Sequence, residues 1–273
     1  TLCDQHLRPT PRFFWRRGYY HPACRRERVP RFRCRSCRRG FSRQTFRQDY
    51  RDRRPATNVF LFMLLASGVG LRQAGRFLQM NPRSVQDKKL KMTRMLALLH
   101  DNLSPTLTKG SCFVLDEEET YEGASIRPLT MPVIIEKQTW FVVVTAVGSI
   151  RRLAPLGSAR RARQDWEERH DPRPDQSSAC VRKVMQQLAR KVPARTILLR
   201  TDQKQSYATI AKEVFRERLV HETTAGSLLR NTSNPLFPIN VTLAMTRDNC
   251  GRLRRRSWLV TKKAERLQNH LAI

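Results

Sequence analysis

The chain has 273 residues, of which 53 are Lys or Arg and 23 are Asp or Glu, so its formal net charge at pH 7 is +30. So large a positive excess favours a nucleic-acid partner. No apolar run approaches the roughly 20 residues that span a bilayer, so we expect no membrane partner. Hydrophobic residues make up 40% of the chain, enough for a core in two domains or in one large domain with an appendage.

The first predicted unit, residues 1–54, is a short, strand-rich basic module. Residues 1–57 contain 17 Arg, no Lys and only four acids, and aromatic residues are interleaved with the arginines. Turns are expected near Gly18 and Gly40, because glycine permits the backbone conformations that tight turns require.

Cysteines in this module have the spacing of a zinc site. Cys34 and Cys37 form a Cys-x-x-Cys knuckle, and Cys3-x-x-His6 would supply two further ligands, giving a zinc-ribbon-like Cys₃His centre. Cys24 is a rival ligand. The alternative is a module that holds no metal.

Residues 55–100 are predicted to form a helix-turn-helix. An apolar helix (NVFLFMLLA) ends at Gly68 and Gly70, a short helix follows, and a third helix begins at Pro82 with Asn81 as its cap. The third helix carries polar residues near its N-terminus, as DNA-reading helices do. We expect four of them to contact DNA: Arg83, Gln86, Lys88 and Lys89. The alternative is an ordinary helical linker.

After a predicted linker over 100–110, the pattern becomes α/β through residue 273. A strand (CFVLD) precedes a hairpin over 131–148, and an Arg-rich stretch over 149–176 is expected to be a mobile loop or insertion. A helix over 177–192, a strand that ends at Asp202, a helix over 206–217 and a short strand follow. The last segment, from Pro238, is predicted to be a helix with a basic run.

An acidic segment interrupts this basic chain, because five carboxylates fall within residues 116–122. Carboxylates repel a phosphate ligand unless divalent metal ions lie between them, and carboxylate oxygens are the ligands that Mg²⁺ prefers. A solvated acidic turn is the alternative. For Glu117, Glu118 and Glu119, solvated charge or salt bridges to arginine are favoured over a metal-ligand role.

Two aspartates of the α/β unit are expected to meet. A hairpin followed by right-handed crossovers places the strand that ends in Asp202 beside the strand that ends in Asp116. Two carboxylates converging there suit two metal ions and phosphoryl transfer. Taken alone, Asp202 equally suits a helix cap.

Several stretches resemble the transposases of small bacterial insertion sequences, which use a DDE catalytic domain. The similar segments are RFRCRSCRRGFSRQTFRQDYR, SGVGLRQAGRFLQMNPRSV, LDEEETYEGASIRPLTMPV and NPLFPINVTLAMTRDNCGRLRRRSWLVTKKAERL. The resemblance covers nearly the whole chain. It implies an RNase H-like domain over 111–273, Mg²⁺ or Mn²⁺, and catalytic acids at Asp116 and Asp202. Asn240 stands where the family has its third acid, a Glu, and Asp248 is a second candidate.

The sequence therefore predicts a DNA transposase that binds terminal inverted repeats in double-stranded DNA, as a homo-oligomer on that DNA, in the bacterial cytoplasm. A basic run is expected to follow the DNA phosphates: Arg252, Arg254, Arg255 and Arg256. Two rivals remain. One is an inactive, transposase-derived DNA-binding protein, and the other is an RNA-binding or ribosome-associated basic protein.

Overall fold

The computed structural model describes residues 13–22, 27–47, 49–107, 112–192, 196–254 and 259–273, and the side chains of 105–107 are not described. Five residues named above lie outside these ranges: Cys3, His6, Cys24, Arg255 and Arg256. The described chain forms a small N-terminal sheet, a helical unit and a larger α/β unit.

The N-terminal sheet has the strands predicted for a basic module. Strands β1 (Phe14–Tyr20), β2 (Val29–Cys34) and β3 (Gly40–Ser42) pair antiparallel in that order. Four phenylalanines, at 14, 32, 41 and 46, form a ring cluster on it with centroids 4.9 to 5.8 Å apart, in which the first three are half-buried and Phe46 is exposed. Gly18 is not in a turn. It lies within β1 at φ +69°, where the register with β2 shifts, so its left-handed backbone forms a bulge.

The helical unit has the three predicted helices, α1 (Asn58–Ala66), α2 (Leu71–Phe77) and α3 (Pro82–Leu107). Asn81 begins α3 as predicted, because its Oδ1 accepts the Arg83 N–H at 2.8 Å. Leu61, Leu65, Ala74 and Val85 are fully buried between the helices. This core joins α1 and α2 to the first turns of α3.

The predicted linker over 100–110 is wrong for most of its length, because α3 continues to Leu107. The end of α3 also contacts the α/β unit. A ring nitrogen of His100 lies 2.6 Å from the Val142 carbonyl oxygen, and Lys191 forms an ion pair with Asp101 at 2.6 Å. Tertiary contacts therefore stabilise helix where the local sequence, which includes Pro105 and Gly110, suggested an irregular connection.

The α/β unit is built on a mixed sheet with the strand order β6-β5-β4-β8-β9. Strands β4, β5 and β6 are antiparallel neighbours, and β8 and β9 run parallel to β4. The predicted α/β class is confirmed. The bounds are β4 (Cys112–Tyr121), β5 (Pro128–Glu136), β6 (Val142–Thr145), β7 (Gly148–Ser149, paired with β5), β8 (Ile197–Asp202) and β9 (Leu219–Thr224).

Helices cover both faces of this sheet, in agreement with alternating burial along the strands. Phe113 and Leu115 of β4 face one core with α5 (Ser177–Lys191) and α6 (Gln205–Phe215). Val114 faces the second core, with α7 (Phe237–Asn249) and α8 (Ala264–Gln268).

Two predictions for the α/β unit are wrong. The Arg-rich stretch over 149–176 contains a helix, α4 (Ala159–His170), and Arg127 anchors it through Glu167 at 2.5 Å and Asp171 at 3.0 Å. The helix predicted from Pro238, α7, ends at Asn249, so the basic run from Arg252 lies beyond it. Composition alone suggested a loop in the first case, but ion pairs to the sheet stabilise the helix.

The C-terminal segment packs against the helical unit. Thr93 Oγ1 donates to the Asn269 carbonyl at 2.7 Å, a His270 ring nitrogen lies 3.3 Å from the Leu65 carbonyl, and Ile273 contacts the helical core. The predicted domains 55–100 and 111–273 therefore share a buried boundary. Among the described residues, none of the helices combines the length and the apolar character needed to cross a bilayer.

Candidate active site

Asp116 and Asp202 lie side by side on neighbouring strands. The parallel register pairs Cys112 with Leu198 and Val114 with Arg200, and continuing it by two residues brings Asp116 level with Asp202. Neighbouring strands are about 4.8 Å apart. Asp202 ends β8 as predicted, whereas Asp116 is the fifth of ten residues in β4, so its predicted place at a strand end is wrong.

Both carboxylates lie on the same face of the sheet. Val114, two residues before Asp116, belongs to the core beneath α7, and side chains two residues apart share a face. On β8, Ile197 and Leu199 face the opposite core, which leaves Asp202 on the α7 side. The two aspartates therefore converge on one surface.

Each aspartate has one carboxylate oxygen that accepts no hydrogen bond from the described residues. Asp116 Oδ1 accepts the Glu117 N–H at 2.7 Å, and Asp202 Oδ1 accepts the Lys204 N–H at 3.0 Å. The second contact is the helix cap that was the alternative for Asp202, and it occupies a single oxygen. Within the described residues, neither Oδ2 has a hydrogen bond or an ion pair.

The remaining carboxylates of the acidic segment are all paired. Glu117 meets Lys204 at 2.8 Å and accepts the Thr130 hydroxyl at 2.7 Å. The other pairs are Glu118 with Arg247 at 3.5 Å, Glu119 with Arg152, and Glu122 with Arg173 at 2.8 Å. The segment is thus a strand rather than a solvated acidic turn, and salt bridges account for its glutamates as expected. Asp116 is the exception among the five.

The surroundings of Asp116 favour its neutral form. Burial raises its pKa from 3.8 to about 6, and the neighbouring charges of Asp202 and Glu117 add to this, against the Glu117 N–H and Arg230. Burial, with Glu117 nearby, also raises the pKa of Tyr207 far above its usual value. A cation brought to the pair would relieve the repulsion between the two carboxylates.

Helix α7, described over its whole length, covers this face but brings no third acid to the aspartate pair. Asn240 is half-buried on the same stripe of α7 as Leu236 and Leu243, which face the sheet, so its role as a third ligand stays a prediction. Asp248 is exposed at the far end of α7, and its backbone carbonyl accepts Arg254 at 2.8 Å, so its role likewise stays a prediction. No group of three His, Cys, Asp or Glu in the described ranges is placed to hold a metal ion.

Two of the four residues predicted to contact DNA on α3 are buried. Lys88 donates to Asp52 at 2.5 Å, to Asn58 Oδ1 at 2.7 Å and to the Arg54 carbonyl at 2.8 Å, and only 8% of its side chain is exposed. Lys89 is completely buried. Neither lysine reaches a surface that DNA could contact, because tertiary packing turned that side of α3 inward.

The other two residues of this set differ in exposure. The side chain of Arg83 is 86% exposed, and it forms an ion pair with Asp87 at 3.6 Å, one turn further along α3. Gln86 is half-buried, and within the described residues its enclosed Oε1 has no hydrogen-bond partner. Arg83 is therefore the predicted α3 contact that stands fully in solvent. Sequence reasoning missed Arg72 and Arg76 on α2, which are also exposed and lie one turn apart.

Lys89 lies in a group of basic residues between α3 and the C-terminal segment. Its Nζ is 3.4 Å from the Arg266 carbonyl. Burial lowers the pKa of Lys89 to about 7, with Arg252 and Arg266 contributing, and burial likewise lowers the pKa of Arg252. Arg252 is therefore half-buried rather than a freely exposed phosphate contact, while Arg254 is exposed.

The residues that surround the acidic strand were also missed. Lys204 comes from the turn before α6, Tyr207 from α6 and Arg247 from α7, all far from β4 in sequence. Of these three residues, only Lys204 could have been connected with the site from the sequence, because it follows Asp202 by two residues. Pairing across distant elements depends on the fold and has no local pattern.

The zinc prediction stays open. Cys34 ends β2 and is buried, Cys37 is half-buried in the turn that follows, and the Cys34 N–H donates to the Arg39 carbonyl at 2.9 Å. This is the tight turn that a knuckle requires. Cys3 and His6 lie outside the described residues, so the proposed centre is not described as a whole.

No protein-family model matches the chain, and a comparison with curated proteins found no significant match.

Proposed function

We propose that the chain is a DNA transposase whose α/β unit is RNase H-like and cuts and joins DNA strands with Mg²⁺ or Mn²⁺. One observation carries the proposal. Asp116 and Asp202 each follow by two residues the last pair of the parallel ladder between β4 and β8, on one face of the sheet, and each leaves Oδ2 without a partner in the described chain, while the glutamates beside Asp116 are all paired. The chain has a net charge of +30, yet these two neighbouring carboxylates have no ion-pair partner in its described part. A cation bound between them would be attracted by both.

The topology supports the same proposal. A three-stranded antiparallel meander is followed by two strands that add in parallel beside its first strand, which gives the order β6-β5-β4-β8-β9. This arrangement brings two acids that are 86 positions apart in sequence to one sheet face. The resemblance to DDE transposases implies catalytic roles for the same two acids.

The residues present suit hard divalent ions, since carboxylate oxygens are their usual ligands. Bound ions would supply activation of a hydroxyl nucleophile and neutralisation of the charge that develops on phosphate. The protein's part is to hold two carboxylates in fixed places. The Glu117 N–H orients Asp116, the Lys204 N–H orients Asp202, and the Tyr207–Glu117–Lys204 group supports both from the opposite face.

A second candidate function has its own support. The described residues bring no third acid to Asp116 and Asp202, and Asn240 carries no charge. A transposase-derived protein that binds double-stranded DNA without cutting it would keep the fold and lose this ligand. The two candidates differ in whether the aspartate pair binds metal productively.

The test measures nicking and strand transfer in Mn²⁺ on a supercoiled plasmid that carries the chain's own gene with its flanking DNA. We expect Asp116→Asn and Asp202→Asn each to lower the rate at least about 100-fold, the scale seen when one stabilising group of a transition state is removed. Glu119→Gln is the matched control, because it neutralises a carboxylate of the same strand that is already paired with Arg152.

Mn²⁺ binding, followed by electron paramagnetic resonance, separates the outcomes. An active protein binds Mn²⁺ through both aspartates, and each Asn variant weakens this binding. Equal rates in all four proteins contradict catalysis at this site. Mn²⁺ binding without nicking or strand transfer supports the DNA-binding candidate.

A further inference from the structure

An open cleft of about 1040 Å³ lies on the N-terminal module, between the strands of its sheet and residues 44–45 and 49–53. Six arginines from four separate stretches of chain line it: Arg17, Arg31, Arg33, Arg38, Arg51 and Arg53. In the sequence, the arginines of this module are spread along its whole length. The fold collects six of them on one concave surface.

Within the described residues, none of these six arginines forms an ion pair with a carboxylate. The two acids that line the cleft are already engaged, since Asp49 pairs with Arg47 at 3.0 Å and the buried Asp52 pairs with Lys88 at 2.5 Å. Six like charges in one concavity repel one another and focus a positive potential, so an external polyanion would be strongly favoured there.

Aromatic rings lie among the arginines. Tyr20, Phe32, Phe41 and Tyr50 line the same cleft, and Arg51 lies over the Tyr50 ring at 5.4 Å. At the rim, Arg38 lies over the ring of the partly exposed Trp15 at 4.6 Å. Cationic groups that alternate with ring faces are the elements with which proteins bind unpaired nucleotides, since bases stack on rings while arginines hold the backbone.

The shape of the cleft favours a single strand over a duplex. A volume near 1000 Å³ encloses a drug-sized ligand, which matches a few nucleotides, whereas paired bases in a duplex present only their edges. Aromatic residues in the lining of a cleft can stack only with a base that has left its own stack. We propose that this arginine cleft binds a short unpaired segment of polynucleotide. The site is independent of Asp116 and Asp202, so it stands even if the chain cuts no DNA.

The experiment measures fluorescence anisotropy of a labelled eight-nucleotide DNA strand, the RNA strand of the same sequence and the corresponding DNA duplex, over a series of salt concentrations. The full chain is used with Asp116→Asn present throughout, so that cleavage does not interfere. The wild-type cleft is expected to bind the single strands more tightly than the duplex of equal length. The DNA and RNA arms then identify which unpaired strand is preferred.

Charge and stacking are tested by separate variants. Arg17→Gln with Arg53→Gln is expected to weaken single-strand binding roughly tenfold and to make the salt dependence shallower by about 1.4 in log–log slope, or about 0.7 for each phosphate that is no longer neutralised. Tyr50→Leu is expected to weaken binding roughly tenfold with the slope unchanged, because it removes a stacking face.

Each variant has a matched control. Arg163→Gln with Arg190→Gln removes two equally exposed arginines far from the cleft, and Tyr50→Phe keeps the ring. Thermal unfolding of each protein confirms that the variants fold. The proposal is overturned if the cleft pair and the distant pair lose affinity equally, or if the duplex binds as tightly as the single strands. A normal plasmid-cutting result with either of these outcomes leaves the proposed function intact.

Discussion

The sheet face at Asp116 and Asp202 and the arginine cleft of the N-terminal module are opposite in charge but alike in one respect. The first leaves two carboxylate oxygens, and the second six guanidinium groups, without an ion pair in the described part of the chain. Around the aspartates every neighbouring glutamate is paired, and in the cleft both acids are already engaged. At the aspartates we propose that an external metal ion binds, and at the arginines an external polyanion, because these charged groups have no partner of opposite charge among the described residues.

The interior of the helical unit provides the contrast. Lys88 is buried with three hydrogen-bond acceptors, and Lys89 is buried with one long contact and basic neighbours. Neither can meet an external ligand, so their charges matter for stability alone. Three predictions use this difference between interior and surface charge.

The largest effect is expected for Lys88→Met. It leaves the Asp52 carboxylate buried beside Asn58 without its cation, which should cost about 3–5 kcal/mol in the free energy of unfolding. Urea unfolding measures the change. Lys88→Met with Asp52→Asn removes both charges and should recover most of the stability. If the variant instead bound DNA more weakly and was as stable as the wild type, Lys88 would be a DNA-contacting residue.

Asp116→Asn is expected to stabilise the protein while it weakens metal binding. Because the folded-state pKa is raised from 3.8 to about 6, ionisation in the folded state costs stability as the pH rises through that interval. At pH 7.5 the Asn variant should therefore be more stable by up to about 3 kcal/mol, and at pH 3.5 by almost nothing. Thermal unfolding at the two pH values, without metal, checks this. Equal stability of the two proteins at pH 7.5 would mean that the ionised Asp116 side chain does not destabilise the folded state.

The smallest effect is a pH slope that depends on Lys89. Burial lowers its pKa from 10.5 to about 7, so between these values the unfolded chain binds a proton that the folded chain lacks. Stability should then rise with pH, by up to about 1.4 kcal/mol per unit above pH 7. Urea unfolding at pH 7 and pH 9 should show the rise in the wild type and a flatter profile in Lys89→Met. If stability rose by the same amount in the variant, the pH dependence would come from another group. The titratable groups that face Lys89 are Cys250, Arg252, Arg266 and His270.

Much of the architecture was predictable because its signals are local. Helix breaks at glycine, the Asn81 cap, apolar strands and the order of elements in the α/β unit all depend on residues close in sequence. The end of α3, helix α4 and the end of α7 were mispredicted. In the first two cases, contacts to distant elements stabilise helix beyond the local preference.

Within the candidate site, local sequence was enough to show that Asp116 and Asp202 follow apolar strand residues and belong to neighbouring strands, since a hairpin with crossovers leaves few other arrangements. The folded chain was needed to show that both face α7, that the glutamates beside Asp116 are paired, and that Lys88 and Lys89 are interior. It also gathered the six arginines of the cleft. The physical reason is that burial and pairing of a charge depend on groups brought together from distant parts of the chain, and such encounters leave no periodic trace in the sequence.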